Sequence, residues 1–125
     1  MGLRISRAVI DELIAHAAKT PDVEVCGLLF EDGSIEHCIN VAEDPARAFE
    51  IDPTALITAH KAERAGGRKI VGCYHSHPNG VEEPSARDAA LAAEGQIWLI
   101  VADAKVAAWQ STDTGFAPLI LEFIE

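Results

Sequence analysis

Two histidines stand two residues apart in Tyr74-His75-Ser76-His77-Pro78, within a stretch, 69–77, that predicts a strand. Side chains alternate between the faces of a strand, so both imidazoles point the same way and offer two neutral nitrogens to one cation. Zinc takes imidazole nitrogen at about 2.0–2.1 Å, and a catalytic zinc uses three protein ligands with a fourth position left open. Asp88 is the candidate third ligand, because it follows Ser85 by three residues at the start of a predicted helix and such residues share a helix face. Ser85 then sits beside the metal, where its hydroxyl can donate a hydrogen bond to an oxyanion. Glu24 opens an apolar stretch in which burial would raise a carboxyl pKa, a property suited to a general base. Bound zinc acidifies water and polarises a carbonyl, so the set as a whole predicts amide hydrolysis.

Each of these features has a plainer reading when taken alone. Ser85-x-x-Asp88 is also what a helix N-terminus looks like, with serine as cap and an acid in the first turn. A His-x-His pair on a strand is often a polar surface, and Glu24 alone reads as a strand-edge carboxylate. The conjunction of all five residues is what points to a metal centre. His16, His37 and His60 have no neighbours at ligand spacing and read as ordinary helix or strand histidines. Cys26 should share the face of Glu24, and Cys73 that of His75, with packing as the expected role for both. Tyr74 and Trp98 read as core aromatics.

The elements that must position these residues follow from local pattern. Ser6 caps a helix whose apolar face is Val9, Ile10, Leu13, Ile14 and Ala17, and Pro21 closes it. Residues 24–30 and 35–41 read as a hairpin joined at Glu31-Asp32-Gly33-Ser34, and 49–51 as a short strand. Asp52-Pro53-Thr54 starts a second helix that Gly66-Gly67 ends, and Pro84-Ser85 starts a third, alanine-rich helix that ends near Gly95. Strands are expected at 96–102, 106–111 and 116–124. The order α-ββ-β-α-β-α-βββ predicts an α/β fold, a mixed β-sheet flanked by helices, with 1–125 forming a single domain.

Glu24, then His75-Ser76-His77-Pro78, six residues, Ser85, two residues and Asp88 together resemble the JAMM (MPN-plus) metalloprotease signature, matched at every functional position. Glu24-Val25-Cys26-Gly27-Leu28-Leu29, Ile51-Asp52-Pro53 and Ile70-Val71-Gly72 look like the surroundings of that signature in bacterial and archaeal members. The resemblance implies a cytidine-deaminase-like fold, with His75, His77 and Asp88 as ligands of one zinc ion, Glu24 as general base and Ser85 as oxyanion donor. It also implies cleavage of peptide or isopeptide bonds after the Gly-Gly tail of a ubiquitin-like or sulfur-carrier protein. Eukaryotic deubiquitinating members carry two long insertions for which this chain has no room. No histidine or cysteine follows His77, so ligands of those types for a second zinc are missing downstream.

Composition narrows the alternatives. With 20 acidic and 10 basic residues among 125, a net charge of −10 and no basic run, nucleic acid is not an expected partner. Three cysteines without a Cys-x-x-Cys spacing argue against a disulfide framework and for a reducing cytoplasm. The longest strongly apolar stretch, 97–102, is far short of a bilayer span, so no membrane partner is expected. The competing expectation is a non-catalytic MPN scaffold, which an intact Glu24, His75, His77, Ser85 and Asp88 would not require. Base deamination, suggested by fold kinship, lacks its His-x-Glu and Pro-Cys-x-x-Cys residues.

Overall fold

The computed structural model describes residues 2–124. Ten elements follow in chain order: β1 (Gly2–Ser6), α1 (Arg7–Lys19), β2 (Cys26–Phe30), β3 (Ile35–Cys38), α2 (Pro53–Arg64), β4 (Ile70–Ser76), α3 (Ala86–Leu91), β5 (Ile97–Ala102), β6 (Lys105–Thr112) and β7 (Gly115–Ile124). The seven strands form one mixed sheet in the order β1-β7-β6-β5-β4-β2-β3. Only the β1–β7 and β4–β5 pairs are parallel. The sheet curls, and the turn at Gly33 comes against the backbone of Arg4 in β1. Gly33 has φ +86°, a left-handed conformation that glycine adopts without a Cβ penalty.

One strand went unread in the sequence. Gly2-Leu3-Arg4-Ile5-Ser6 buries Leu3 and Ile5, but its partner is β7, with Gly2 opposite Ile120, and no local pattern carries a pairing that long. Ser6 caps α1 as expected, its hydroxyl accepting from the Val9 amide at 3.2 Å. Several boundaries also differ: the strand expected over 35–41 stops at Cys38, and the third helix, expected to end near Gly95, ends at Leu91. Residues 49–51 contribute only an isolated bridge between Asn40 and Ile51, and the expected strand from residue 24 begins at Cys26. Glu24 donates its amide to the Pro45 carbonyl, a loop partner, so the ladder cannot start there.

Apolar burial fixes the layers. β2 is buried throughout, as a central strand covered on both faces must be. On one face, Ile10 and Leu13 of α1 pack on Ile5, Leu29, Tyr74, Leu99 and Val101. On the other, Ala59 of α2 packs with Leu28 and Phe30, and a second cluster joins Cys26, Phe49, Cys73 and Trp98. Tyr74 and Trp98 are core residues, as their types suggested. Because neighbours on a strand face opposite ways, Tyr74 belongs to the α1 face and His75 to the face of Phe49 and Trp98.

Candidate metal centre

The end of β4 and the start of α3 bring the expected ligands together. His75 is the penultimate residue of β4, and His77 lies one residue beyond its end, its amide still bonded to the Val101 carbonyl. That bond carries the strand geometry one residue further and aims both rings at one point. The Nε2 atoms of His75 and His77 are 2.9 Å apart, and Asp88 Oδ2 lies 3.2 and 3.1 Å from them. All three residues are buried.

Asp88 is held from its other side by α3. Ser85 is the N-cap: its hydroxyl accepts from the Asp88 amide at 3.1 Å, and its own amide donates to Asp88 Oδ2 at 2.8 Å. The helix-cap reading is therefore met, and the same two residues set a carboxylate oxygen against both imidazoles. An accepting hydroxyl keeps its own hydrogen, so Ser85, exposed at the cleft, remains a free donor.

The donor chemistry fits a divalent cation. His77 Nδ1 meets the Val81 carbonyl at 2.8 Å; a carbonyl only accepts, so Nδ1 carries the proton and Nε2 presents its lone pair. His77 Nε2 and Asp88 Oδ2 thus face one another as electron-rich atoms 3.1 Å apart with His75 Nε2 beside both, a grouping that a cation at its centre would satisfy. Tetrahedral zinc at its usual bond lengths sets ligand atoms about 3.3 Å apart, close to the separations found. Glu24 Oε1 and His75 Nδ1 are buried with no hydrogen-bond partner among the described residues.

Glu24 competes with Asp88 for the third position. Ligand atoms of Glu24, His75 and His77 all lie within 4.8 Å of one another, a separation also compatible with a shared metal. Asp88 Oδ2 is nearer to both imidazoles. Burial, together with the nearby Asp88 charge, pushes the Glu24 carboxyl up to about 7 against the opposing pull of His77 and Arg87. Burial acts in the same upward sense on Asp88, yet the facing imidazoles of His75 and His77 and the Ser85 amide hold it well below the usual carboxylate range. Burial lowers His75. It works the same way on His77, but there the Asp88 contact, the Val81 carbonyl and Glu24 outweigh it and raise the ring.

A cleft of about 510 Å³ opens onto this group, lined by Glu24, Arg47, His77, Asn79 and Ser85 among others. Two contributors had no sequence signal. The Phe49 ring stacks on His75, with centroids 4.4 Å apart and planes at 18°. Asn40 bonds four main-chain groups around Glu24 and Phe49. Cys26 and Cys73 pack in the cluster beneath the site, and burial raises both thiols, Cys26 to about 12. His16 and His37, 21 positions apart in sequence, stack on one another on the opposite face of the sheet.

Residues 6–113 match the family described as prokaryotic homologues of the JAB domain. The chain is 35% identical over 121 residues to a desampylase of Haloferax volcanii, covering 87% of each chain. It is 36% identical over 89 residues to a probable TtuB-protein conjugate cleaving protease of Thermus thermophilus, covering 69% of this chain and 60% of that one. A solution structure of a protein from Desulfitobacterium hafniense superposes with a TM-score of 0.82 at 27% identity, covering 98% of this chain and 92% of the other.

Proposed function

The chain belongs to the prokaryotic JAB-domain family, of JAMM/MPN type, and on that premise we propose that it is a zinc-dependent isopeptidase. Its substrate is the amide bond after the Gly-Gly tail of a ubiquitin-like or sulfur-carrier protein. The observation that carries this reading is the convergence of His75, His77 and Asp88 with a second buried carboxylate, Glu24, beside a cleft that Glu24 and His77 line. The similarity to a desampylase and to a probable TtuB-protein conjugate cleaving protease supports the substrate class.

In this reading His75, His77 and Asp88 hold a single zinc ion, which when bound supplies Lewis acidity to water and to the scissile carbonyl. Glu24 takes a proton from the attacking water. A carboxyl near 7 is matched to that task, because it is partly ionised at neutral pH and can return the proton to the leaving amine. The Ser85 hydroxyl donates to the developing oxyanion. The open cleft beside them admits a thin glycine tail, whose lack of side chains lets its backbone approach the reacting groups.

The test is hydrolysis of a ubiquitin-like protein joined through its terminal glycine to a lysine side chain, with zinc content measured in parallel. The proposal expects bound zinc and release of the intact carrier, both abolished by chelator and restored by zinc. A purified protein that binds no zinc at neutral pH sinks it.

A further inference from the structure

Asn40 stands at the neck of the loop that runs from Asn40 to Ile51, where the two residues pair as an isolated bridge. Main-chain bonds from Val41 to Glu50 and from Asp52 to Ile39 close that neck. Inside it, the Asn40 amide group is fully used. Its Nδ2 donates to the Glu24 carbonyl at 2.8 Å and to the Ala48 carbonyl at 3.0 Å. Its Oδ1 accepts from the Ala42 and Glu50 amides, each at 3.0 Å. Two donated and two accepted bonds are the whole capacity of this side chain in most settings. Flipping the amide would set oxygen against two carbonyls and nitrogen against two amides, so the orientation is unambiguous.

The positions of these four groups give the arrangement its meaning. The Glu24 carbonyl belongs to the residue we assign as base, which lies before the first residue of β2 and lacks the support of the ladder. Its amide is held by Pro45, in the same loop. The Ala48 carbonyl and the Glu50 amide flank Phe49, whose ring lies on His75. One side chain therefore sets both the main chain of Glu24 and the ring that covers a zinc ligand.

We propose that Asn40 is a positioning residue for the hydrolytic reaction, fixing Glu24 relative to the paired imidazoles through its carbonyl and through the loop that carries Phe49. This rests on the base role given to Glu24 above. A base displaced by a fraction of an ångström loses its alignment with the attacking water, while ligands on β4 and α3 stay where they are. The effect should fall on turnover, with substrate binding and zinc content preserved.

Asn40→Asp keeps the size and the acceptor but turns an oxygen toward two carbonyls, and Asn40→Ala removes all four bonds. The experiment measures kcat, KM and bound zinc for both variants, for Glu24→Gln, and for Glu24→Gln combined with Asn40→Asp. The expected result is a kcat at least about tenfold lower in Asn40→Asp, with KM within about threefold and zinc unchanged. In the Glu24→Gln background the same change should alter the residual rate by less than about twofold, because the group being positioned is already gone. An equal proportional loss in both backgrounds, or a kcat within about twofold of the unmodified protein, overturns the proposal. Full activity in Glu24→Gln alone instead overturns the base assignment, and the inference with it. Should the variants fail to fold, hydrogen exchange of the Asn40 side-chain amide in the unmodified protein decides: slow exchange supports the lock, and solvent-like exchange overturns it.

Discussion

Strand β4 turns Tyr74 to one face of the sheet and His75 to the other, and a histidine pair gathers at each. On the α1 face, His16 and His37 lie with centroids 4.0 Å apart and planes within 5° of parallel. On the other, His75 and His77 have centroids 4.7 Å apart but planes at 69°. Imidazole lone pairs lie in the ring plane, so stacked parallel rings cannot aim at one ion, whereas inclined rings can. The first pair is also committed elsewhere: His16 Nδ1 bonds to the Tyr74 hydroxyl at 2.9 Å, and His37 Nε2 to Glu12 at 3.2 Å. The second pair turns its Nε2 atoms toward each other and toward Asp88, while the Val81 carbonyl holds His77 from behind at Nδ1. Ring inclination and a shared buried carboxylate, more than histidine proximity, separate a metal centre from a packing motif.

The strongest way to break that contrast is to remove one imidazole from each pair. His77→Ala should abolish bound zinc and bring hydrolysis below detection, because two remaining ligands hold zinc poorly. His37→Ala should leave the zinc content at the level of the unmodified protein. Elemental analysis after gel filtration checks both, and zinc lost from the His37 variant would make the stacked pair a ligand site after all.

The two carboxylates at the metal centre sharpen the contrast further. Glu24→Gln should retain zinc and lower kcat by about 10²–10⁴-fold, the usual worth of a positioned general base. Asp88→Asn should weaken zinc binding, because the anionic oxygen facing both imidazoles is lost. Paired zinc titrations of the two variants decide whether Asp88 or Glu24 is the third ligand. Zinc loss from Glu24→Gln would reverse the assignment.

Much of this centre was legible in the sequence because its parts are local. The two histidines sit on one strand end, and Ser85 with Asp88 forms one helix cap, so short-range periodicity places each pair. Glu24 was harder: its link to the histidines runs through pairing of β2 with β4, with Cys26 opposite His75, and the resemblance supplied what spacing could not. The same limit hid β1, Asn40 and the stack of His16 on His37. Each depends on tertiary contacts between segments that leave no periodic trace. The 49–51 segment shows the opposite error, an alternation that reads as a strand but is held by one isolated bridge, two flanking main-chain bonds and the Asn40 side chain instead of a ladder.

Acidity offers a smaller effect on the metal side. Glu24 has a folded-state pKa raised from 4.5 to about 7 by burial, so the folded protein binds its proton more tightly than the unfolded chain does. Stability from this group is complete below about pH 4.5 and is lost as pH rises through about 7. In metal-free protein, Glu24→Gln should therefore raise the Tm at pH 8 and leave it nearly unchanged at pH 4.5. A Tm difference independent of pH would show that Glu24 is not buried against its charge. The gain in stability on removing a proposed catalytic group is the expected cost of holding a carboxylate ready to ionise.

The smallest effect belongs to the stacked pair, and its sign is the reverse. Burial lowers the pKa of His16, with His37 and Lys19 acting in the same sense and Glu12 against them. A histidine held neutral in the fold takes up its proton more readily once unfolded. Its contribution is present above the ordinary histidine value near 6.5 and declines as pH falls below it. His16→Gln cannot take on charge, so its Tm should fall less than that of the unmodified protein between pH 7 and pH 5. At pH 7 the variant should be the less stable by about 1 kcal/mol, because the buried Tyr74 hydroxyl loses its 2.9 Å partner. The two curves should then converge on acidification. Zinc added or withdrawn at either pH should not change the distance between them, since the parallel rings give the ion nothing to hold. A convergence that needs zinc would mean that the stack opens in solution and the two histidine pairs differ less than their ring planes indicate.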